Sequence, residues 1–271
     1  MKSIIQFFDQ NNQILQSSIF IIVFLLCWSL EHFHGITAVN SKKKHFINNV
    51  LFSVFGALVQ LAIGLVFLKS IQFEQENGLG LIHYWGVTSN LGQLLIAFIF
   101  LDFTYWLYHF LMHKIPVLWR FHAVHHSDSF LNVSTALREH PFETVIRLGH
   151  YILAVAIIGP SLWVISLHQF IQIISKIIIH GNFRVPEKLD KTLSFLLLTP
   201  NMHQVHHHYV QPYTDSNYGD LFSIWDRIFS TFRTLKKDEL SFGLDQYPEE
   251  LESPDKWYNL LKRPFLAQHK I

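Results

Sequence analysis

The chain has few charged residues and almost no cysteine. Only 15% of its 271 residues are Asp, Glu, Lys or Arg, whereas a soluble domain carries about 25%. The single cysteine, Cys27, leaves no disulfide framework, no cysteine zinc site and no thiolate-held iron–sulfur cluster. The formal net charge is +1 and there is no long basic run, so the sequence does not indicate a nucleic-acid-binding protein. Half of the residues are hydrophobic, so the composition predicts a membrane protein.

Four apolar runs predict the architecture. Residues 14–30 and 50–68 are uncharged and would reach about 25 and 28 Å as helices, close to the ~30 Å hydrocarbon core of a bilayer. A third run covers residues 91–113, and a fourth covers 151–179 with Gly159 and Pro160 in its middle. Because proline breaks a helix, the fourth run is interpreted as a hairpin, re-entrant or spanning twice. We therefore expect an all-α, polytopic membrane protein with about four transmembrane helices, or three plus a re-entrant hairpin.

Basic residues in the short loops predict its orientation. The loop between the first two runs contains Lys42, Lys43 and Lys44, and cytoplasmic loops carry an excess of lysine and arginine. Counting the spans forward, we expect residues 114–140 and 203–271 to be cytoplasmic too. Residues 1–90 are expected to form N-terminal transmembrane helices with their loop.

Histidine is the residue that the chain uses most unusually. Eight of its 18 histidines form three spaced groups, His109 and His113, then His122, His125 and His126, then His203, His206 and His207. On a helix, residues four and three apart differ by about 40° and 60°, so each group presents its imidazoles on one face. Hydrophobic packing does not explain so many clustered imidazoles, because each buried ring nitrogen needs a hydrogen-bond or metal partner. Since a tetrahedral site saturates at four ligands, the spacing predicts two metal ions, with iron, zinc, copper and nickel all open.

Four segments carry a resemblance to a known family. They are "LDFTYWLYHFLMHKIPVLWRFHAVHHSD", "NVSTALREHPFE", "TPNMHQVHHH" and "NYGDLFSIWDRIFSTF". Together they resemble the fatty acid hydroxylase and sterol desaturase superfamily of membrane di-iron oxygenases, over about residues 95–233. The resemblance implies that residues 91–271 form a catalytic domain of this type. Two positions depart from the sequence pattern of the family. Phe110, after the first histidine of the first group, stands where the family commonly has a basic residue, and Ser230 stands where it usually has glycine. Neither departure removes a histidine.

The resemblance implies a set of site residues. All eight grouped histidines correspond to metal ligands that carry the catalysis, and His180 in "IIHGNF" corresponds to a further ligand. His140 is either a ligand or a hydrogen-bond partner of one, and Glu143 is expected to orient a ligating imidazole. His168 is interpreted as a packing or interfacial residue, and the spacing of His208 gives it no ligand position. Phe103, Tyr105, Trp106 and Tyr108 are expected to form either an aromatic wall below the metals or an aromatic belt at the membrane interface.

The implied activity is the hydroxylation or desaturation of a C–H bond in a membrane lipid, with two iron ions, dioxygen and two electrons. Zinc is an alternative occupant in purified protein. No G-x-G-x-x-G fingerprint occurs in the chain, so we expect an external electron donor, a cytochrome, a ferredoxin or a flavoprotein reductase. Two alternatives remain open from the residues alone: a di-zinc membrane hydrolase and a histidine-rich metal transporter. The identity of the lipid and the oligomeric state stay open as well.

Overall fold

A computed structural model describes residues 2–35, 42–244 and 256–266 of the chain, with the side chains of residues 2–16 and 42–44 left out. Within these ranges the protein is helical, with two isolated β-bridges and no β-strand. Its helices are α1 (Lys2–His34), α2 (Lys42–Glu76), α3 (Leu81–Tyr84), α4 (Asn90–Lys114), α5 (Pro116–His126), α6 (Pro141–Ile158), α7 (Leu162–Ile179), α8 (Glu187–Leu193), α9 (Pro200–His206), α10 (Ile224–Ile228) and α11 (Trp257–Lys262). Short 3-10 helices cover Val133–Leu137, Lys237–Glu239 and Arg263–Phe265. The predicted all-α fold is confirmed.

Five segments of the described chain are long and apolar enough to cross a membrane. They are Ser17–His34, His45–Tyr84, Asn90–Lys114, Pro141–Ile158 and Leu162–Ile179. Their outer surfaces expose large apolar side chains, among them Leu61 at 76% and Leu65 at 69%, as expected for residues that face lipid rather than water. The protein is therefore a multi-pass integral membrane protein, as predicted.

The predicted break in the fourth apolar run lies at Gly159 and Pro160. Gly159 caps α6 with a φ of 67°, in the left-handed region that glycine adopts without strain. However, α6 begins at Pro141, ten residues before the apolar run, because His140 caps the helix and Pro141 suits its first position. The polar side chains of Glu143 and Thr144 in its first turn are buried. Both α6 and α7 have 18 residues, about 27 Å each, which is long enough to cross most of the hydrocarbon core.

Contacts between helix ends show that the long helices alternate in direction. At the start of α2, His45 Nε2 lies 2.5 Å from Asp128 Oδ1, just after α5. Near the end of α1, Glu31 accepts hydrogen bonds from the backbone N–H of Val133 at 2.5 Å and of Asn182 at 2.9 Å. The ends of α1, α4 and α7 and the starts of α2 and α6 therefore meet at one end of the bundle. This end carries all three histidine groups.

Candidate metal centre

Four helices bring the histidines together. His109 and His113 lie on the last turns of α4, and His122, His125 and His126 lie on α5. Only Ile115 separates the two helices, and Pro116 is the first residue of α5. Proline is favourable there because the N–H that it lacks would make no hydrogen bond within the helix. The chain therefore folds back, and α5 packs against α4. His180 follows the end of α7, α9 carries His203 and His206, and His207 caps the end of α9.

The nine histidines separate into two buried groups. Within each group, one nitrogen from every ring lies within 4.8 Å of those of the others. The first group, here called site A, consists of His109, His113, His122, His126 and His206. The second, site B, consists of His125, His180, His203 and His207. All eight histidines of the three predicted groups, together with His180, are thus close enough to bind two ions.

The hydrogen bonds of the site B rings point their free lone pairs at one another. His125 Nδ1 lies 3.0 Å from the carbonyl oxygen of Arg138, and His180 Nδ1 lies 2.6 Å from that of Lys176. Since a carbonyl only accepts, both Nδ1 atoms carry the proton, and both Nε2 atoms carry a lone pair. Yet these two Nε2 atoms face each other at 3.1 Å. Two lone pairs at this distance repel unless a cation lies between them.

The same arrangement recurs in site A. His109 Nδ1 donates to the carbonyl oxygen of Tyr218 at 2.8 Å, and His122 Nδ1 donates to Glu143 Oε1 at 2.6 Å. Their Nε2 atoms are 3.0 Å apart. In the same site, His113 Nε2, His206 Nε2 and both nitrogens of His126 are buried without a hydrogen-bond partner among the residues that the structure describes. Two nitrogens bound to one ion at about 2.1 Å lie roughly 3.0 to 3.4 Å apart, so the spacing fits metal ligands.

The electrostatic environment keeps these rings in the form that binds metal. Burial, followed by repulsion between neighbouring imidazoles, lowers the pKa of His125 and His126 well below 6.5. The same causes act on His203, His206 and His207, while burial and Lys176 lower the pKa of His180 to about 3. A neutral imidazole offers a lone pair to a metal and an imidazolium does not. The residues therefore fit two metal ions.

Most hydrogen bonds that orient the ligands come from the backbone. Carbonyl oxygens of Arg138, Lys176, Ser216 and Tyr218 accept from four of the rings, the His206 Nδ1 to Ser216 contact being 2.7 Å. Of the groups that orient the rings, only Glu143 was predicted from the sequence. A backbone carbonyl leaves no trace in residue identity, so no sequence signal could have found these four acceptors. Asp215 Oδ1, 3.3 Å from His113 Nδ1, is a side-chain acceptor that was not predicted.

Asp226, in the "WDRIF" segment, fixes two of these carbonyls in place. Its carboxylate accepts hydrogen bonds from the backbone N–H of Tyr218 at 2.8 Å and of Gly219 at 3.0 Å. It also accepts from Trp106 Nε1 at 3.0 Å and Thr231 Oγ1 at 2.6 Å. A Cβ at Gly219 would collide with the backbone of Phe222, so the turn needs glycine. This turn, residues 216–219, presents the Ser216 and Tyr218 carbonyls to site A.

Three other histidines lie away from both sites. His140 caps α6, where its Nδ1 accepts from the Phe142 N–H and its Nε2 lies 3.2 Å from the Leu261 carbonyl oxygen. His168 stacks on Tyr151 inside the bundle. His208 Nδ1 accepts from the Val210 N–H at 3.2 Å, and its Nε2 lies 3.2 Å from the Glu239 carbonyl oxygen. The ring nitrogens of His140 and His208 thus face backbone groups rather than the nine clustered imidazoles.

A cavity of about 320 Å³ opens beside the two sites, and five of the nine histidines line it. Tyr105 and Tyr108 line it too, whereas Phe103 and Trp106, expected in the same wall, pack against Phe229 on another side of α4. Successive helical residues are about 100° apart, so four aromatic residues within six positions cannot share one wall.

An ion-paired cluster forms another part of the cavity. Glu139 binds Arg147 through both carboxylate oxygens at 3.0–3.1 Å, and Lys176 Nζ lies 3.4 Å from Glu139 Oε2. Burial alone would raise the pKa of the Glu139 carboxyl, but the adjacent Arg147 and Lys176 cations lower it overall. Glu139 therefore stays ionised and compensates positive charge beside the histidines.

Comparison with known proteins gives one family and several relatives. The family model described as "Fatty acid hydroxylase" matches residues 94–231. Alkylglycerol monooxygenase of Danio rerio is 33% identical over 149 residues, which cover 55% of this chain and 32% of that protein. Ornithine lipid hydroxylase OlsE of Rhizobium tropici is 27% identical over 192 residues, 69% of this chain and 56% of that protein. Lathosterol oxidase of Homo sapiens is 26% identical over 239 residues, 78% of this chain and 71% of that protein.

The match to the alkylglycerol monooxygenases spans only about a third of their length. No solved structure matches the chain.

Proposed function

The chain belongs to the fatty acid hydroxylase family, and we propose that it is a membrane-bound di-iron oxygenase that hydroxylates or desaturates a C–H bond of a lipid. The observation that carries this proposal is the pair of buried histidine groups, whose lone pairs converge beside a cavity at the end of the membrane helices. Relatives named as a monooxygenase, a lipid hydroxylase and a sterol oxidase support the oxidative chemistry.

The proposed reaction needs an oxidant and electrons as well as the lipid. In hydroxylation, one atom of dioxygen enters the C–H bond and the other leaves as water, with two electrons and two protons consumed. Iron in sites A and B would supply the activation of dioxygen, which no side chain can provide. We propose that the electrons come from a separate redox protein, since each turnover consumes two of them.

The chain's own residues hold and shield this chemistry. The nine histidines bind the ions, while the Arg138, Lys176, Ser216 and Tyr218 carbonyls and the Glu143 carboxylate fix the ring orientations. All nine histidines are at least nine-tenths buried, so the bundle limits the access of water to the site. The lipid reaches the cavity from the bilayer in which the helices lie.

We also propose that the histidine end faces the cytoplasm. The start of α2 lies at this end of the bundle, where His45 contacts Asp128. Lys42, Lys43 and Lys44 form the first positions of α2. Lysine-rich loops remain in the cytoplasm, which supports a cytoplasmic site within reach of a soluble electron donor.

Metal analysis combined with lipid mass spectrometry tests the proposal. Purified protein should contain two irons per chain, and cells that express it under ¹⁸O-labelled dioxygen should accumulate a lipid with one labelled oxygen or with two hydrogens fewer. His206→Ala and His125→Ala, one for each site, should lower the iron content and abolish the product.

His208→Ala is the matched control because His208 lies beside His207 in the sequence but its ring nitrogens face backbone groups. It should keep both irons. Stoichiometric zinc in an active preparation that needs no dioxygen would contradict the proposal and favour a hydrolase.

A further inference from the structure

An open apolar groove lies between α4 and α10, away from the histidines. Its volume is about 570 Å³, and it is lined by five residues of α4, from 95 to 103, together with Trp225, Ile228 and Phe229. Each of these side chains is aliphatic or aromatic. Among the described residues, the groove shares no lining residue with the cavity beside sites A and B. Its occupant is therefore a separate question from the substrate.

The depth of the groove follows from the length of α4. A hydrocarbon core of about 30 Å spans about 20 helical residues, and α4 is a candidate membrane span of 25 residues. Any such stretch of α4 includes residues 95–103. The α4 wall of the groove therefore lies inside the bilayer.

Contacts with α4 bring α10 to the same depth. Trp225 Nε1 donates to Asp102 Oδ2 at 2.7 Å, and the ring centroids of Phe103 and Trp225 are 5.0 Å apart. Asp102 is the middle residue of α4, about 18 Å from either end. Just before α10, the ring centroid of Phe222 lies 6.2 Å from that of Phe98, which is still farther from the histidine end. The segment around α10 thus lies alongside the membrane-spanning part of α4.

The exposed surface of this segment suits lipid rather than water. Ile224, Ile228 and Phe229 are 39%, 59% and 48% exposed, and on the α4 wall of the groove Leu95 and Ile99 are 52% and 50% exposed. An exposed apolar patch marks an interaction surface. This patch is continuous with the lipid-facing surface of α4.

Polar groups of the segment bond to other parts of the protein, as insertion into hydrocarbon requires. The Ser223 N–H donates to the Leu196 carbonyl oxygen at 3.0 Å. The guanidinium of Arg227 donates to the Ser194 carbonyl oxygen at 2.8 Å and stacks on the ring of Phe232. Irregular backbone is tolerated at membrane depth only where its hydrogen bonds are satisfied within the protein. These contacts allow the segment to lie in the bilayer without leaving these groups unpaired.

We propose that residues 222–229 re-enter the bilayer from the histidine end, and that the groove between them and α4 binds the acyl chain of a bilayer lipid. A soluble partner cannot reach the α4 wall, because that wall lies in the hydrocarbon core. The indole N–H of the lining, on Trp225, is already bonded to Asp102, so the groove offers a hydrocarbon chain and not a headgroup its contacts. The sequence predicts residues 203–271 to be cytoplasmic, and this segment is an exception within that stretch. Its insertion anchors in the membrane the helix whose Asp226 carboxylate holds the turn beside site A.

Fluorescence quenching in lipid nanodiscs tests the insertion. In a Cys27→Ala background, which removes the single cysteine, a bimane probe is attached to Ile228→Cys, Leu61→Cys or Thr234→Cys. Leu61, 76% exposed on α2, is the lipid-facing reference, and the exposed Thr234 is the aqueous reference. We expect lipids with brominated acyl chains to quench the probe at position 228 as strongly as the probe at position 61. Aqueous iodide should quench only the probe at position 234.

Native mass spectrometry of protein released from the nanodiscs tests the acyl-chain site. The unaltered chain should retain one phospholipid more than Ile99→Trp and Ile228→Trp, because each added ring fills the groove from one wall. Ile21→Trp, the same substitution at a lipid-facing position outside the groove, should retain as much phospholipid as the unaltered chain. If one groove variant fails to fold, the other decides.

Quenching of the probe at position 228 by iodide overturns the insertion. Quenching by neither agent would mean that another protein surface, such as a second copy of the chain, covers the groove, and it overturns the lipid site. Equal phospholipid retention by Ile99→Trp and Ile21→Trp overturns the lipid site as well. These measurements need no iron, dioxygen or turnover, so their outcome is independent of the proposed oxygenase function.

Discussion

Removal of the Asp226 carboxylate should damage site A although Asp226 contacts no metal ligand directly. The carboxylate holds the turn whose Tyr218 carbonyl accepts from His109 Nδ1. Asp226 is fully buried, and its Oδ1 accepts from Trp106 Nε1, the Tyr218 N–H and Thr231 Oγ1, while its Oδ2 accepts from the Gly219 N–H. Substitution therefore tests whether the "WDRIF" segment acts through hydrogen bonds.

The structure gives the size of the effect for two variants. Asp226→Ala leaves three buried donors unpaired, each costing about 1–3 kcal/mol, and removes one contact of the half-buried Thr231 hydroxyl. Burial raises the pKa of Asp226, which shows that burying its carboxylate is itself unfavourable. The alanine variant avoids this unfavourable term, so we expect a net decrease in the free energy of unfolding of about 3–4 kcal/mol. Asp226→Asn can keep the three bonds to Oδ1 and directs its amide nitrogen at the Gly219 N–H, so about 1–3 kcal/mol is lost.

Thermal unfolding in detergent, followed by tryptophan fluorescence, measures both losses, and metal analysis measures their effect on the site. For a chain of this size, about 1 kcal/mol corresponds to roughly 2–4 °C in melting temperature. We expect a decrease of roughly 10 °C for Asp226→Ala and of roughly 5 °C for Asp226→Asn. Asp226→Ala should also lose metal from site A, because His109 loses its fixed acceptor. Asp238→Asn, at an exposed position, is the control and should melt like the unaltered chain.

An Asp226→Ala protein that keeps two metal ions and melts within about 1 °C of the unaltered chain would refute this reasoning. Equal damage by alanine and asparagine would show that the negative charge, and not the set of hydrogen bonds, is what the turn requires.

Three further predictions follow from the same contacts. Glu143→Gln should weaken metal binding in site A by about 10- to 100-fold, since His122 loses its charged acceptor; a titration in which both ions bind with unchanged affinity would contradict this. His180→Ala should remove the ion of site B and leave that of site A, so metal analysis should find about one ion per chain, whereas retention of both would exclude His180 as a ligand. In a cysteine-free background, single cysteines at the exposed positions Ser129 and Thr234 should resist a membrane-impermeant reagent in intact cells, and one at Ser89 should react. Opposite labelling of Ser129 and Thr234 would disprove the proposed topology.

Features set by local physics were predictable from the sequence. The hairpin break follows from Gly159 and Pro160, and the clustering of histidines follows from their helical spacing. The alternation of the helices could be predicted too, since it follows from the count of apolar runs. These features need no knowledge of how distant segments pack.

Features that depend on packing between distant helices were not predictable. Whether Tyr105 or Phe103 faces the cavity depends on how α4 is rotated against α6 and α7. The role of Asp226 depends on contacts with distant residues such as Trp106, which lies 120 positions earlier. The acceptors for the histidine rings are mostly backbone carbonyls, which carry no side-chain identity. The start of α6 at Pro141 was missed because its first turns are polar and face the interior.

The division of the histidines between the two sites follows a simple rule of helix geometry. Pairs four residues apart share a site, as His122 and His126 do in site A and His203 and His207 in site B. Adjacent histidines go to different sites, as in the doublets 125–126 and 206–207, because neighbouring positions on a helix point about 100° apart. Each doublet therefore places ligands in both sites from a single helix. Since α5 and α9 each contribute to both, neither site can form completely until both helices have docked, so the two sites assemble together.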